Sequence, residues 1–146
     1  MTLNNLVGVS LDAIEPDAAT IQRLLEAAES SLADARLPNL STEGRFDMAY
    51  KAIMQAANAA LQANGFRTLT SKPGHHQTMI QTLPRTIGLD APTMLLLDQM
   101  RKQRNVIDYD GDLVSDALAD EAVRQALALL ARVRAWIREH KAHLLD

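Results

Sequence analysis

Residues 100–112, MRKQRNVIDYDGD, are the most informative stretch of the chain, because a cluster of cationic residues is followed there by a signal that ends a helix. Arg101, Lys102 and Arg104 lie close together in a chain whose net charge is −3. The apolar residues 94–97 precede them, and Gly111 is the residue type that ends helices in a left-handed conformation. The stretch predicts a helix with a buried first half and a cationic cluster on its last turns.

The spacing of this stretch predicts one shared polar face. Residues three, four and seven apart lie on the same side of a helix, so Arg101, Arg104 and Asp108 are expected to project together, with Asn105 and Tyr109 close by. Two guanidinium groups beside a carboxylate, a carboxamide and a phenol form a cluster with several donors and few acceptors, which suits a phosphate, whose oxygens match the arginine fork.

A purely structural interpretation of the same residues is also open. Cations near the C-terminus of a helix interact favourably with its dipole, by ~0.3–1 kcal/mol each. Asp108 can pair with Arg104 at i,i+4, and Asp110-Gly111 is an ordinary turn signal.

Length and composition indicate one all-helical domain, residues 1–146, with a core at about 16–143. The sequence is 47% hydrophobic but only 3% aromatic, so the core must consist of aliphatic side chains and alanine, which favours helices. The net charge argues against nucleic-acid binding over the whole surface. Any contact with phosphate is therefore expected to be local.

Several classes of chemistry lack their signatures. The chain has no cysteine, which excludes disulfides, thiol catalysis and thiolate metal sites. His140 and His143 lack a third ligand, and no P-loop or GxGxxG occurs, so neither metal nor cofactor is expected. No apolar run approaches the ~20 residues of a membrane span, and no signal peptide is recognisable. We expect a cytoplasmic protein without membrane contact.

Hydrophobic periodicity predicts an all-α, up-and-down bundle of four to five helices, mostly antiparallel and without strands. The helices are expected at about residues 16–37, 42–63, 75–87, 91–110 and 116–143, with residues 66–74 as a loop. Ser41 and Ser115 are predicted N-caps, and Asn64-Gly65 a helix end. Tyr50 falls on the buried stripe of the second helix; it either belongs to the core, which we favour, or lines a polar site.

His75 and His76 open the predicted third helix. Adjacent helical residues diverge by about 100 degrees, so the pair cannot easily hold one metal ion. We expect one imidazole to face inwards and the other to face water. Either can support a site at Arg104 only if the third helix packs against the fourth.

Taken in order, GHHQ at 74–77, LDQMRKQRNVIDYDG at 97–111 and the long Ser-capped helix that follows resemble the HEPN domain family. The resemblance covers roughly residues 16–143. HEPN domains are small all-α domains of prokaryotic toxins, defence systems and RNA-processing proteins. The resemblance implies a homodimer with a shared cleft and metal-independent ribonuclease chemistry, in which an Arg holds the scissile phosphate. A His four to six residues later supports attack by the 2′-hydroxyl.

This chain departs from that signature. Arg104 matches the Arg and Asn105 the polar residue after it, but Tyr109 stands where the His is expected, preceded by Asp108. Counting from Arg101 reaches no His either. A tyrosine with an ordinary pKa near ~10 is a poor base at neutral pH, although it can donate to a phosphate oxygen. The set therefore supports binding better than catalysis, and leaves a weak endoribonuclease activity open.

Three hypotheses follow. The first is a HEPN-like homodimer that binds RNA or a nucleotide phosphate through Arg104 and Arg101. The second is a non-catalytic helical module that binds a toxin, antitoxin or nucleotidyltransferase encoded by a neighbouring gene. The third is a bundle with a ligand pocket in its alanine-rich core. The alanines of the second helix and the broad apolar face of the fifth are compatible with self-association.

Overall fold

The computed structural model describes residues 2–71, 73–111 and 113–146. Lys72 of the predicted loop and Asp112 of the charged stretch lie outside the described residues. The elements are, in chain order, β1 Leu11–Ala13, α1 Ala18–Ala35, α2 Thr42–Ala63, β2 Phe66–Thr68, α3 His75–Gln81, α4 Leu83–Thr86, α5 Ala91–Asp110 and α6 Asp116–His140. Short 3-10 turns span Leu3–Leu6 and Ala142–Leu145. The prediction of an all-α bundle is confirmed.

Local side-chain chemistry determines where the long helices begin and end. The Ser41 hydroxyl accepts from the Gly44 N–H at 3.0 Å, and Ser115 caps α6 in the same manner. Helix α2 ends at Asn64, and Gly65 then takes a φ of 88°, which is open to glycine at no steric cost. These three predicted boundaries are confirmed.

Helix α2 forms the centre of the core, between α1 and α6. The apolar stripe predicted for it is buried, from Phe46 to Leu61. Its alanines are buried as well, and their small side chains allow both neighbouring helices to approach closely. Because α1 and α6 of the same chain cover the alanines, this face of α2 is not available for self-association.

The direction of the three core helices follows from contacts at their ends. Thr42 at the start of α2 donates to Asp116 at the start of α6, at 2.8 Å, so these two helices begin side by side. Gln22 near the start of α1 donates to the carbonyl of Leu144, which follows α6. Helix α1 therefore runs opposite to α6, whereas α2 runs in the same direction as α6.

The predictions for β1 and β2 were wrong, because these segments form a small antiparallel sheet instead of a lead-in and a loop. Leu11 pairs with Thr68 and Ala13 with Phe66, and the Leu11 side chain is completely buried. Three residues are too few to show the alternation that identifies a strand in a sequence. The partners lie far apart in the chain, so only the tertiary fold brings them together.

The predicted third helix is two helices, α3 and α4. The Thr82 hydroxyl donates to the carbonyl of Thr78 at 2.8 Å, and Pro84 has no N–H with which to continue the helical ladder. The chain therefore turns at Thr82 and carries α4 towards α5.

Helix α5 packs on α3 and α4 through its first half. Its buried residues are Leu97, Asp98 and Met100. No described residue of α5 beyond Met100 is buried, so the cationic turns lie at the surface as predicted. None of the helices in the described part of the chain combines the length and apolarity that a bilayer span requires.

Candidate functional site

A surface cleft of about 410 Å³ lies where α2, α3 and α5 meet. Its size falls within the ~300–1,000 Å³ of typical ligand pockets. The lining residues are Asp47, Met48, Tyr50, Lys51, Met54, Gln55, Asn58, His76, Met79 and Arg104. A smaller cleft of about 240 Å³, lined by Gly74, His75, His76, Gln77, Arg101 and Asn105, adjoins it through His76. We refer to the larger one as the α2–α3–α5 cleft.

Arg104 is held in this cleft by α2. Its Nε donates to Asp47 Oδ1 at a long 3.4 Å, and its guanidinium carbon lies 5.0 Å from the centre of the Tyr50 ring, a cation–π distance. Within the described residues, no protein group accepts from the two terminal nitrogens. The ion pair that structural reasoning expected with Asp108 is therefore formed with Asp47. Arg104 retains the two-pronged part of its guanidinium for a ligand.

Arg101 is fixed in the same manner from its own helix. Its Nε donates to Asp98 Oδ1 at 2.8 Å, and Asp98 is only 5% exposed. Lys102 lies 3.7 Å from the other carboxylate oxygen and balances the buried charge further. Asp98 thus orients Arg101, whose terminal nitrogens also have no partner among the described residues.

His76 lies between the two clefts. Its Nδ1 is 3.3 Å from the Tyr50 hydroxyl, and its ring meets that of His75 edge-on, with centroids 5.0 Å apart. Burial lowers the pKa of His76 below its ordinary value of 6.5, and the charges of His75, Arg104 and Arg101 lower it further. The imidazole is therefore neutral at neutral pH.

Tyr50 determines how that neutral imidazole is oriented. Its side chain is 2% exposed, and burial raises the pKa of its phenol to about 12, against the opposing effect of Arg104 and Arg101. The phenol is thus protonated at neutral pH, and its hydroxyl lies within hydrogen-bond distance of Nδ1 of His76; when it donates there, the imidazole proton lies on Nε2. Tyr50 belongs to the core and also lines a polar site, so both interpretations of the sequence hold.

The structure brings together some of the residues selected from the sequence and separates others. Arg101, Arg104, His75 and His76 all line one of the two clefts, and so does Asn105. The predicted third and fourth helices begin at the same residues as α3 and α5 of the structure. These two helices pack against each other, as support of Arg104 by a histidine requires. By contrast, Asp108 and Tyr109 are exposed on the last turns of α5 and line neither cleft; Tyr109 is 89% exposed.

Sequence reasoning missed the contribution of α2. Asp47, Lys51, Gln55 and Asn58 follow one another at helical spacing and form a polar stripe along the cleft. This stripe borders the buried face of α2, and its periodicity was visible in the sequence. Nothing in the sequence indicated that it would face Arg104, which lies on a helix much further along the chain.

The donor set is suited to an anion and not to a metal ion. Among the described residues, no three histidine or carboxylate side chains lie close enough to hold a metal.

Comparisons with protein-family models, with curated proteins and with solved structures find no match for this chain.

Proposed function

We propose that this chain is a HEPN-like protein that binds a phosphate group of RNA or of a nucleotide in the α2–α3–α5 cleft, with Arg104 as the principal phosphate ligand. One observation carries the proposal. The Nε of Arg104 contacts Asp47, while its terminal nitrogens have no partner among the described residues and lie beside a cleft of about 410 Å³. A guanidinium with two free parallel donors matches two oxygens of one phosphate.

The local charge supports an anionic ligand although the whole chain is acidic. Three cations, Lys51, Arg101 and Arg104, surround the two clefts, against the carboxylates of Asp47 and Asp98. Because Lys51 is exposed and pairs with no described carboxylate, it is free to add a further contact. When the Tyr50 hydroxyl donates to Nδ1 of neutral His76, Nε2 of that ring carries the proton and adds a donor.

The same geometry favours binding over cleavage. A base that activates a 2′-hydroxyl needs an unprotonated nitrogen within reach of the substrate. In the tautomer whose Nδ1 accepts from Tyr50, at 3.3 Å, that nitrogen becomes available only when the hydrogen bond breaks. We infer that any ribonuclease activity is weak and metal-independent, with His75 as the second imidazole of the site.

We further infer a homodimer, as the HEPN resemblance implies. The second half of α5 has no buried residue within the subunit, and its apolar Val106 is 45% exposed. A second copy packed on this segment would cover Val106 and bring further groups close to Asn105 and Tyr109. Size-exclusion chromatography with light scattering tests the dimer, and Val106→Glu is expected to yield monomers.

The direct test measures binding and cleavage of a single-stranded RNA in the presence of EDTA. We expect Arg104→Ala to weaken binding by about tenfold or more, because a hydrogen bond to a charged group contributes ~1.5–3 kcal/mol. Arg124→Ala is the matched control, since Arg124 is an exposed arginine of α6 paired with Glu121. Unchanged binding and cleavage in Arg104→Ala would show that the site is assigned wrongly.

A second function, a non-catalytic interaction module, is favoured by a separate surface. Val106 and Leu113, the latter 97% exposed, border an apolar hollow of about 260 Å³ between α5 and α6. Such a hollow suits an apolar side chain of a partner protein. Co-purification with the product of a neighbouring gene, a toxin, antitoxin or nucleotidyltransferase, tests this function. Loss of the complex in Val106→Glu but not in Arg104→Ala would identify the surface.

A further inference from the structure

We propose that the end of the α2–α3–α5 cleft remote from Arg104 is a nucleobase subsite that selects guanine and uracil through the amide groups of Gln55 and Asn58, because these bases carry a carbonyl oxygen where adenine and cytosine carry an amino group. The inference rests on the proposed function, because it assumes that a phosphate occupies the Arg104 end.

The cleft is long enough for both parts of a nucleotide. Asp47, which contacts Arg104, and Asn58 line the same cleft eleven residues apart on α2. At a rise of ~1.5 Å per residue, the polar stripe extends about 16 Å. Arg104 lies over Tyr50, and Gln55 follows five residues later on α2, a rise of ~7.5 Å, so the phosphate and the base of one nucleotide can contact different parts of one continuous surface.

Hydrogen bonds fix the orientation of both amide groups, that of Gln55 by a residue of α1 and that of Asn58 by a residue one turn further along α2. The Oε1 of Gln55 accepts from the Ser31 hydroxyl at 2.9 Å, and the Oδ1 of Asn58 accepts from Gln62 at 3.2 Å. Each oxygen thus already accepts one hydrogen bond from the protein, whereas neither amide nitrogen donates to any described protein group. Two partly buried NH₂ groups without acceptors remain at the cleft, and a ligand with acceptors would satisfy them.

Apolar side chains at the same end suit a flat heterocycle. Met54 of α2 and Met79 of α3 line the cleft and are otherwise buried. Thioethers make favourable contacts with aromatic faces, worth ~0.3–1.5 kcal/mol each. Methionine side chains beside amide donors thus provide both stacking and edge recognition.

The donors determine which bases fit. Guanine presents the adjacent acceptors O6 and N7, and uracil presents its carbonyl oxygens. Adenine places its N6 amino group, a donor, where guanine has O6. An NH₂ group of the protein facing that amino group would leave both donors unpaired. We therefore expect guanosine and uridine monophosphates to bind about tenfold more tightly than adenosine monophosphate.

The test compares the affinities of GMP, UMP, AMP and the base-free ribose 5-phosphate by calorimetry. In Gln55→Glu and Asn58→Asp the oxygens that accept from Ser31 and Gln62 are retained, while each NH₂ donor becomes an acceptor. The added negative charge affects all four probes alike, so the ratio of GMP to AMP affinity isolates the base. We expect that ratio to fall by about tenfold in each variant. It should remain unchanged in Gln103→Glu, which places the same charge outside this cleft.

Uncharged variants remove the amide donors without adding a charge, and circular dichroism checks that they fold. Gln55→Met and Asn58→Leu should lower the affinities for GMP and UMP to that for AMP, with unchanged circular dichroism. An unchanged GMP-to-AMP ratio in all four variants, with binding still lost in Arg104→Ala, would overturn the base subsite alone. Absence of any binding that depends on Arg104 would overturn the phosphate site and the base subsite together.

Discussion

Protonation of His76 should strengthen RNA binding as the pH falls. In the free protein, burial and the charges of His75, Arg104 and Arg101 lower the pKa of His76 below 6.5. A phosphate bound beside the ring would favour the charged imidazolium, so the proposed RNA binding is expected to raise that pKa and to take up a proton. The affinity for RNA should therefore increase as the pH falls through the pKa that His76 has in the complex. The affinity should level off below the lowered pKa that His76 has in the free protein.

The size of this effect follows from the position of His76 at an open cleft. Two unit charges 4 Å apart interact by ~1 kcal/mol in water and ~4 kcal/mol at an effective dielectric constant of 20. His76 is partly exposed, so we take a value near the lower limit, about 1 kcal/mol or fivefold in affinity. The neighbouring groups His75, Arg101, Arg104 and Asp47 are present in both the wild type and His76→Gln, so the comparison isolates the contribution of His76.

The assay measures the affinity of a single-stranded RNA by fluorescence anisotropy between pH 7.5 and pH 5. Internal phosphodiesters keep one negative charge over this range, unlike a terminal monoester, whose second pKa is about 6. His76→Gln should remove the increase, whereas His143→Gln, an exposed residue in the C-terminal 3-10 turn, should retain it. An equal increase in wild type and His76→Gln would refute the assignment of His76 to the phosphate site.

The remaining predictions concern stability, measured as the free energy of unfolding in urea. Asp98→Ala should destabilise the protein by ~2–4 kcal/mol, near the lower end for a buried ion pair because Arg101 reaches solvent, and should also weaken RNA binding. Ile53→Ala, at a fully buried position between the core helices, should cost ~2–5 kcal/mol without affecting the affinity per folded molecule. Ser115→Ala removes the N-cap of α6 and should lower the free energy of unfolding by about 1 kcal/mol. Ser115→Asp, which keeps a capping oxygen, should lower it much less. Because the folded state holds His76 neutral, stability should fall as the pH drops from 6.5 towards the lowered pKa, and should fall less in His76→Gln.

The sequence predicted the long helices well because their boundaries depend on neighbouring residues. Helix α2 spans the predicted residues, since the Ser41 cap and the Asn64-Gly65 end are both local features. Periodicity likewise identified its buried stripe. The strand pairing of Leu11 with Thr68 was missed, because it depends on segments that meet only in the folded chain.

The candidate site was predicted in part, for the same physical reason. The cationic turns of α5 were recognisable from local composition, and GHHQ placed two histidines at the start of α3. The carboxylate that holds Arg104, Asp47, lies 57 positions earlier, so the nearby Asp108 was the partner that spacing alone suggested. Tyr109, selected by its place in the Arg-Asn-x-x-Asp-Tyr pattern, lines neither of the two clefts.

The salt dependence of RNA affinity tests most directly whether Arg104 contacts phosphate. Each neutralised phosphate of a single strand contributes about −0.7 to the slope of log affinity against log salt concentration. If Arg104 binds one phosphate, Arg104→Ala should reduce the magnitude of that slope by about 0.7 and weaken binding at every salt concentration. Identical slopes and affinities in the wild type and in Arg104→Ala would contradict a phosphate site in the α2–α3–α5 cleft.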